Sequence, residues 1–514
     1  MQLISISVSK TIAMHSPLNK ICILLFSACS LTFISCKKFL SAYSQNSSFV
    51  ESAADLDEVL VGDGYFTIHT TPITPALYTM DDDLKDGVPG GNYKLTTYRG
   101  FHNWQSEPRR NSDGVLLSTD DLFNKLYSKL ARLNSVLSSI PALREKGEPE
   151  GQLKRIAGEA HFLRAYYYFI LTNLFGKPYR ATTAADDFSV PLKTEAAITS
   201  QFAVRSSNQR VFNQIVADLQ EAVKNLAGVE QKSALRANQS VAQALLSRVY
   251  LFMENYEQAN YYADQVIANK KYSVTDLNSW QAGKNVFTSY SSEVIFNMGG
   301  NSLYNEMALG AEVPDQPYYL PSDELVLLYS AEDLRTNAFF VKSGSGQWKI
   351  AKMRDPFGPD HDMASDFYLI RLSEVYLNKA EALAAMDRFG EARTTLQAFR
   401  KYRFKPNELP SLTDEGAALM SFIRDERRRE LCLEAHRWFD LRRYAVNSKY
   451  PFNKKIRHRN IEYTGTGYQE NGYYELGTYQ DDPGAYIVPI ANDEIDFNQG
   501  AITNEPRPVR PVKY

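Results

Sequence analysis

Two stretches of this chain read as the same helical hairpin, and that narrows the fold to a helical one. Residues 241–268 give helix, turn, helix, with Tyr250 and Ala259 nine positions apart. Residues 367–399 repeat the pattern with Leu383 and Ala392, again nine apart. In each, a short polar turn (Glu254-Asn255; Asp387-Arg388) closes the first helix, and an aromatic residue (Tyr256; Phe389) opens the second. A small residue where two antiparallel helices touch lets their axes approach closely. The spacing is that of a tetratricopeptide repeat, a hairpin of about 34 residues that needs about three copies for a stable stack. Residues 119–140 with 153–175, and 205–226 with its neighbours, supply the others in degenerate form.

The remaining pattern agrees with a helical scaffold. Leu122, Leu126, Leu130, Leu133 and Leu137 recur at helical spacing. Residues 153–175 form a long helix that stops at Gly176, with Pro178 beyond. Residues 51–61 make a short first helix and 211–226 a further one. Residues 72–104, rich in Pro, Gly, Asp and Tyr, read as loop, and 447–483 as an irregular Gly/Tyr-rich insertion. Short strands are expected around 293–296 and 486–488. The expected fold is therefore mostly α: tetratricopeptide-like hairpins as a scaffold, with long irregular loops and a few short strands packed on one side. Ordered loops on such a scaffold tend to carry function.

The N-terminal end reads as a leader. Lys20 precedes an apolar or small run, Ile21 to Ile34, which is too short to span a bilayer of about 30 Å. Cys36 stands directly after the small residue Ser35, as in a bacterial lipoprotein signal, so residues 1–35 are expected to be removed and Cys36 to be acylated. Met14 is the better start, since it gives a leader of usual length. Residues 36–50 then form a lipid-anchored tether, 51–330 an N-terminal part with the first repeats, and 331–514 a C-terminal part, with 36–514 as one structural unit. Of the four cysteines only Cys36 and Cys432 outlast the leader, so there is no disulfide framework. Loss of Lys10 and Lys20 moves the net charge from −3 to −5, and no basic block suggests nucleic acid.

Catalytic patterns are missing from the sequence: there is no HExxH, no G-x-S-x-G elbow and no P-loop. Asp81-Asp82-Asp83 invites a calcium reading but fails the EF-hand spacing, and reads as a solvated acidic turn. No metal and no cofactor is expected. In the arginine-rich segment, Glu426, Glu430 and Glu434 recur every four residues, with Arg429 three after Glu426 and Arg437 three after Glu434. Opposite charges at those spacings come within reach, and Trp438 adds apolar packing. This reads as an ion-pair lattice tying helices together.

Four stretches together carry a resemblance: Gly158-Glu159-Ala160-His161-Phe162-Leu163-Arg164-Ala165; residues 367–383; Ile423-Arg424-Asp425-Glu426-Arg427-Arg428-Arg429-Glu430-Leu431 with Glu434 to Arg443; and Pro489-Ile490, Glu494-Ile495 and Asn498 near the end. With Cys36-Lys37-Lys38-Phe39-Leu40, the chain resembles the SusD/RagB family of Bacteroidota over about 36 to 506. The resemblance implies a non-catalytic, outer-membrane lipoprotein that faces the cell exterior. Such a protein captures oligosaccharide and passes it to a SusC-like TonB-dependent transporter. An oligopeptide-binding member, or a helical-repeat scaffold binding only protein, are the alternatives. Ligand residues do not transfer by motif, because family sites lie in variable loops. Aromatic platforms beside polar groups suit a sugar, which points to Tyr78, Asp82, Tyr93 and Trp104 in the first long loop and to Tyr318 and Tyr319 after Pro317. Replacing Trp104 is then expected to abolish binding and leave the fold intact.

Overall fold

In a computed structural model, the described residues are 50–66, 76–87, 93–110, 114–116, 122–197, 200–299, 303, 319–344, 346–352, 364–464, 466 and 468–514. The leader, Cys36, the tether through residue 49 and Tyr318 lie outside them. Residues 52–514 pack as one unit. No helix among the described residues is long and apolar enough to cross a membrane.

Helices dominate. The first ones are α1 (Ala53–Val59), α2 (Ala76–Thr79), α3 (Tyr93–His102), α4 (Leu122–Glu145) and α5 (Glu150–Phe175). Then come α6 (Asn208–Asn225), α7 (Gln239–Phe252), α8 (Tyr256–Ile267), α9 (Asp323–Val326) and α10 (Arg335–Phe339). The C-terminal set is α11 (Leu372–Ala385), α12 (Phe389–Arg400), α13 (Gly416–Leu431), α14 (Arg437–Ala445) and α15 (Asn492–Phe497). The long helices stack in a run: α4 on α5, α5 on α6, α6 on α7, α7 on α8, α8 on α11, and α11 on both α12 and α13.

The two hairpins foreseen from the sequence are α7–α8 and α11–α12. Ala259 and Ala392 are fully buried at the helix contacts, and the Ser247 hydroxyl donates to the Ala259 carbonyl at 3.0 Å. Both turns reverse the chain through a left-handed residue, Glu254 (φ 58°) and Asp387 (φ 61°). α5 lies between α4 and α6, with Tyr166, Tyr167 and Tyr168 all buried. Its Gly158 is required by close approach: a Cβ there would sit 2.6 Å from Leu226 Cγ at the end of α6.

Among the described residues, four small antiparallel sheets accompany the helices. β1 (Leu84–Asp86) pairs with β3 (Tyr319–Pro321), and β2 (Val294–Phe296) pairs with β6 (Ile370–Arg371). β4 (Phe340–Lys342) pairs with β5 (Trp348–Ile350), and β7 (Ile456–Tyr463) with β8 (Tyr468–Leu476). Three expectations need correction. The 447–483 stretch is not irregular: it holds the β7–β8 hairpin. The alternation of buried Ile456 and His458 with exposed Arg457 is the period-two signal, weakened by a bulge between Arg459 and Ile461. The 72–104 stretch is not simply loop, since α2, β1 and α3 lie within it. Residues 486–488 form no strand; a 3-10 turn over Pro483–Tyr486 leads into Val488, whose N–H bonds to the Leu174 carbonyl at 2.9 Å.

Candidate functional site

The arginine-rich segment is the anchor on which the loops rest. Arg371, fully buried, reaches Glu293 (2.7 Å), Glu430 (2.5 Å) and Glu434 (2.8 Å). Arg403 reaches Glu293 and Glu430, and Arg335 reaches Asp333 (2.7 Å) and Glu426 (2.8 Å). Burial alone would push these carboxyls up, but the surrounding guanidinium groups outweigh it: Glu430 is held well below its usual range, and Glu426 falls to about 2. Arg429 pairs with Glu426 at 2.9 Å, as its spacing suggested. Arg437 does not pair with Glu434. α13 stops at Leu431, and left-handed Leu433 and Ala435 turn the chain, so the two residues never share a helix face. Arg437 instead holds Asp82 with two bonds, 2.6 and 2.9 Å.

That contact decides the state of the acidic turn. Asp81, Asp82 and Asp83 are buried, not solvated. Asp82 also receives Lys454 (2.7 Å), and Asp83 receives Arg428 (2.7 Å). Burial raises the Asp82 carboxyl, yet Arg428, Arg437 and Lys454 outweigh it and hold Asp82 well below the usual range. At Asp81 burial, followed by the charges of Asp83 and Asp82, outweighs the pull of Arg437 and pushes it well above. The three carboxylates lie within 4.8 Å of one another, but protein cations take up two of them. The turn thereby pins the first long loop to α13, α14 and the start of the β7–β8 hairpin.

The aromatic residues expected to face a ligand lie inside this assembly. Trp104 and Tyr319 are 0 % exposed and Tyr78 is 3 % exposed. The Trp104 indole donates to the Met80 carbonyl at 2.8 Å and stacks on His458, with ring centroids 4.3 Å apart. His102 stacks on the other imidazole at 3.7 Å and meets Tyr319 edge-on. Trp438 is likewise buried and stacks on Tyr486. Tyr93 opens α3, with only its backbone described. In this structure none of the described platforms offers a face to solvent.

An open cleft of about 680 Å3 lies instead beside that buried stack. Its walls come from residues 106–110 after α3, Asn124 near the start of α4, and two C-terminal stretches, 489–493 and 504–507. The frame is stiff. Arg109 donates to the Pro489 carbonyl at 2.6 Å. Arg507 binds the carbonyls of Gly484 (3.2 Å), Ala485 (3.0 Å) and Ile487 (2.7 Å). The Asn504 amide closes a pair of 2.8 Å bonds with the Ile490 backbone. Gly484 has no room for a Cβ, because the Pro506 carbonyl lies against it. Arg507 is held down to about 10, chiefly by burial.

Groups at the cleft suit a polyhydroxylated ligand. Asn124, Asn492 and Asp493 line it, with the exposed Glu107–Arg110 ion pair on one wall. Planar amides, carboxylates and guanidinium forks bind hydroxyl pairs by paired donation and acceptance. Exposed Leu116 supplies an apolar edge. Reasoning from aromatic content did not point to this cleft, because none of the described aromatic residues lines it. The available signal lay in the C-terminal Pro489-Ile490 and Asn504-Glu505-Pro506 segments, far from the first long loop in sequence.

Comparison with known proteins covers most of the chain. The model of the SusD family matches residues 348–506, and a model described as starch-binding associating with outer membrane matches 39–251. Each contributes one side of the cleft. A SusD-like protein of Bacteroides ovatus is 24% identical over 460 residues, which covers 76% of this chain and 80% of that protein. A SusD-like carbohydrate binding protein from Bacteroides vulgatus ATCC 8482 superposes with TM-score 0.64 at 18% identity, covering 87% of this chain and 97% of that one. A laminarin binding SusD-like protein gives TM-score 0.59 at 22% identity, covering 88% and 96%. The two structures share the fold.

Proposed function

We propose that this chain, which belongs to the SusD/RagB family, captures oligosaccharide in the cleft between residues 106–124 and 489–507 without cleaving it. The observation that carries the reading is the open cleft, with Asn124, Asn492 and Asp493 on its walls, framed by segments from both matched regions. The family is a carbohydrate-binding one, and a relative of the same fold binds laminarin, a neutral glucan. Hydrogen bonds to charged groups contribute about 1.5–3 kcal/mol each, so a few wall residues suffice for capture that remains reversible. Reversibility suits delivery to a SusC-like TonB-dependent transporter, with Cys36 acylated and the protein held on the outer face of the outer membrane. Peptide is the other cargo the cleft would take.

The test is calorimetry of the mature chain against neutral and acidic oligosaccharides and peptides, with product analysis for cleavage. Binding of one saccharide class without new reducing ends is expected. Asp493→Ala with Asn124→Ala should weaken it by about tenfold or more, equivalent to about 1.4 kcal/mol, at unchanged melting temperature. Unchanged affinity in that variant would displace the site from the cleft, and turnover would end the non-catalytic reading. Palmitate labelling that Cys36→Ala abolishes, and co-purification with a TonB-dependent barrel, are expected for the anchor and the partner.

A further inference from the structure

A second cavity, of about 330 Å3, lies between α13, α14 and residues 449–452, outside the cleft. Arg424 and Tyr444 both line it, the Arg424 guanidinium lying 4.2 Å over the Tyr444 ring. Arg424 is only 8 % exposed, and its Nε and Nη2 atoms have no hydrogen-bond partner. Its neighbours on α13 are all matched: Arg427 to Asp440 (2.8 Å), Arg428 to Asp83 (2.7 Å) and Arg429 to Glu426 (2.9 Å). Glu381, whose charge Arg424 also feels, is bound from both sides by Arg443 at 2.6 and 2.8 Å. The other cations on the cavity are committed, Arg437 to Asp82 and Lys449 to Asp387.

A buried guanidinium without a counter-ion is costly, and native structures supply one from the protein, from water or from a ligand. Met420, Tyr450 and Phe452 line the same cavity and put apolar surface beside the guanidinium. Half-buried Asp425 is the one carboxylate on the lining, and it disfavours an anion seated near it. The guanidinium fork matches a planar carboxylate or a sulfate edge, which a lysine would not.

We propose that this cavity is an anion site in which Arg424 pairs with a carboxylate or sulfate group, either as a free oxyanion or carried on an acidic sugar residue. The site is separate from the cleft, so its failure leaves the capture reading standing, and the reverse also holds.

The experiment is a titration of the full mature chain at constant ionic strength with sodium sulfate, galacturonate, its methyl ester and galactose. Sulfate and galacturonate should bind saturably, with the ester and galactose weaker by about tenfold or more. Arg424→Gln should weaken both charged probes by a similar factor. Galacturonate binding tighter than sulfate assigns the acidic-sugar source; equal affinities assign the free oxyanion. A selenate soak of wild-type crystals should place an anomalous peak within hydrogen-bond reach of Arg424, a readout independent of how the variant folds. No saturable binding of either charged probe, equal binding by Arg424→Gln, or no selenate peak at Arg424 would each overturn the assignment.

Discussion

Replacing Glu430 by Gln tests whether the buried charge lattice is a stability element. The side chain is fully buried and accepts from Arg371 Nη1 at 2.5 Å, Arg403 Nε at 2.9 Å and Nη2 at 2.8 Å, and Arg335 Nη1 at 3.0 Å. The carboxamide keeps the volume and one acceptor, but turns an NH2 toward guanidinium donors and removes one negative charge. Removing one partner of a buried ion pair costs about 3–5 kcal/mol. The lower end applies here, because Glu293 still faces Arg371 and Arg403, and Glu434 still faces Arg371. Unfolding entropy of about 2.1 cal/mol/K per residue, over the unit Ser52–Tyr514, makes a loss of about 3 kcal/mol a midpoint shift of about 3 °C. Equilibrium urea unfolding is the sharper assay, with Glu391→Gln as control. That carboxylate pairs with Arg388 at 2.6 Å but is 59 % exposed, and exposed pairs contribute about 0–1 kcal/mol. The pH dependence carries a sign. Glu430 is depressed in the folded state, so its contribution is present above the unfolded value of about 4.3 and fades as pH falls. The gap between wild type and Glu430→Gln should narrow below that pH. A variant no less stable than the control, or one that loses saccharide affinity at full stability, would refute the structural role.

Arg437→Met strands Asp82 beside Arg428 and Lys454, and should lower stability by about 3 kcal/mol while leaving saccharide affinity unchanged, as urea unfolding and calorimetry would show. Trp104→Ala empties a fully buried, stacked and hydrogen-bonded site, so a loss of about 3–5 kcal/mol in unfolding free energy is expected, against the intact fold anticipated from sequence. Acid titration of the wild type by circular dichroism should show stability falling between about pH 4.5 and 2, the window between an unfolded glutamate and Glu426. Gly484→Ala forces the chain away from the Pro506 carbonyl, and hydrogen exchange should then rise across residues 504–510.

The helical scaffold was legible because each hairpin is encoded within some thirty contiguous residues. The nine-residue offsets, the polar turn and the opening aromatic are all local, and the structure places Ala259 and Ala392 at the contacts they implied. The β7–β8 hairpin was hidden by Gly/Tyr-rich composition and by a bulge that breaks its alternation. The pairing of Arg437 was misread for a related reason: helical spacing was extended past Leu431, where the backbone turns left-handed at Leu433 and Ala435.

The candidate ligand residues were the least legible, and the cause lies in how buried charge and aromatic surface are used here. Loop aromatics near acids suggested stacking platforms, yet the acids are the reason those rings are interior. Asp82 and Asp83, drawn onto Arg437, Arg428 and Lys454, pull the first long loop down onto the C-terminal helices. Trp104, Tyr319 and His102 are thereby closed into a stack with His458 from the β7–β8 hairpin. No local pattern announces this, because each contact joins residues more than two hundred positions apart. The same folding-down leaves residues 106–110 against the C-terminal segment, where Arg109 meets the Pro489 carbonyl and Arg507 gathers three backbone carbonyls. The cleft is therefore walled by segments that meet only through long-range contacts, and no single stretch of sequence announces it.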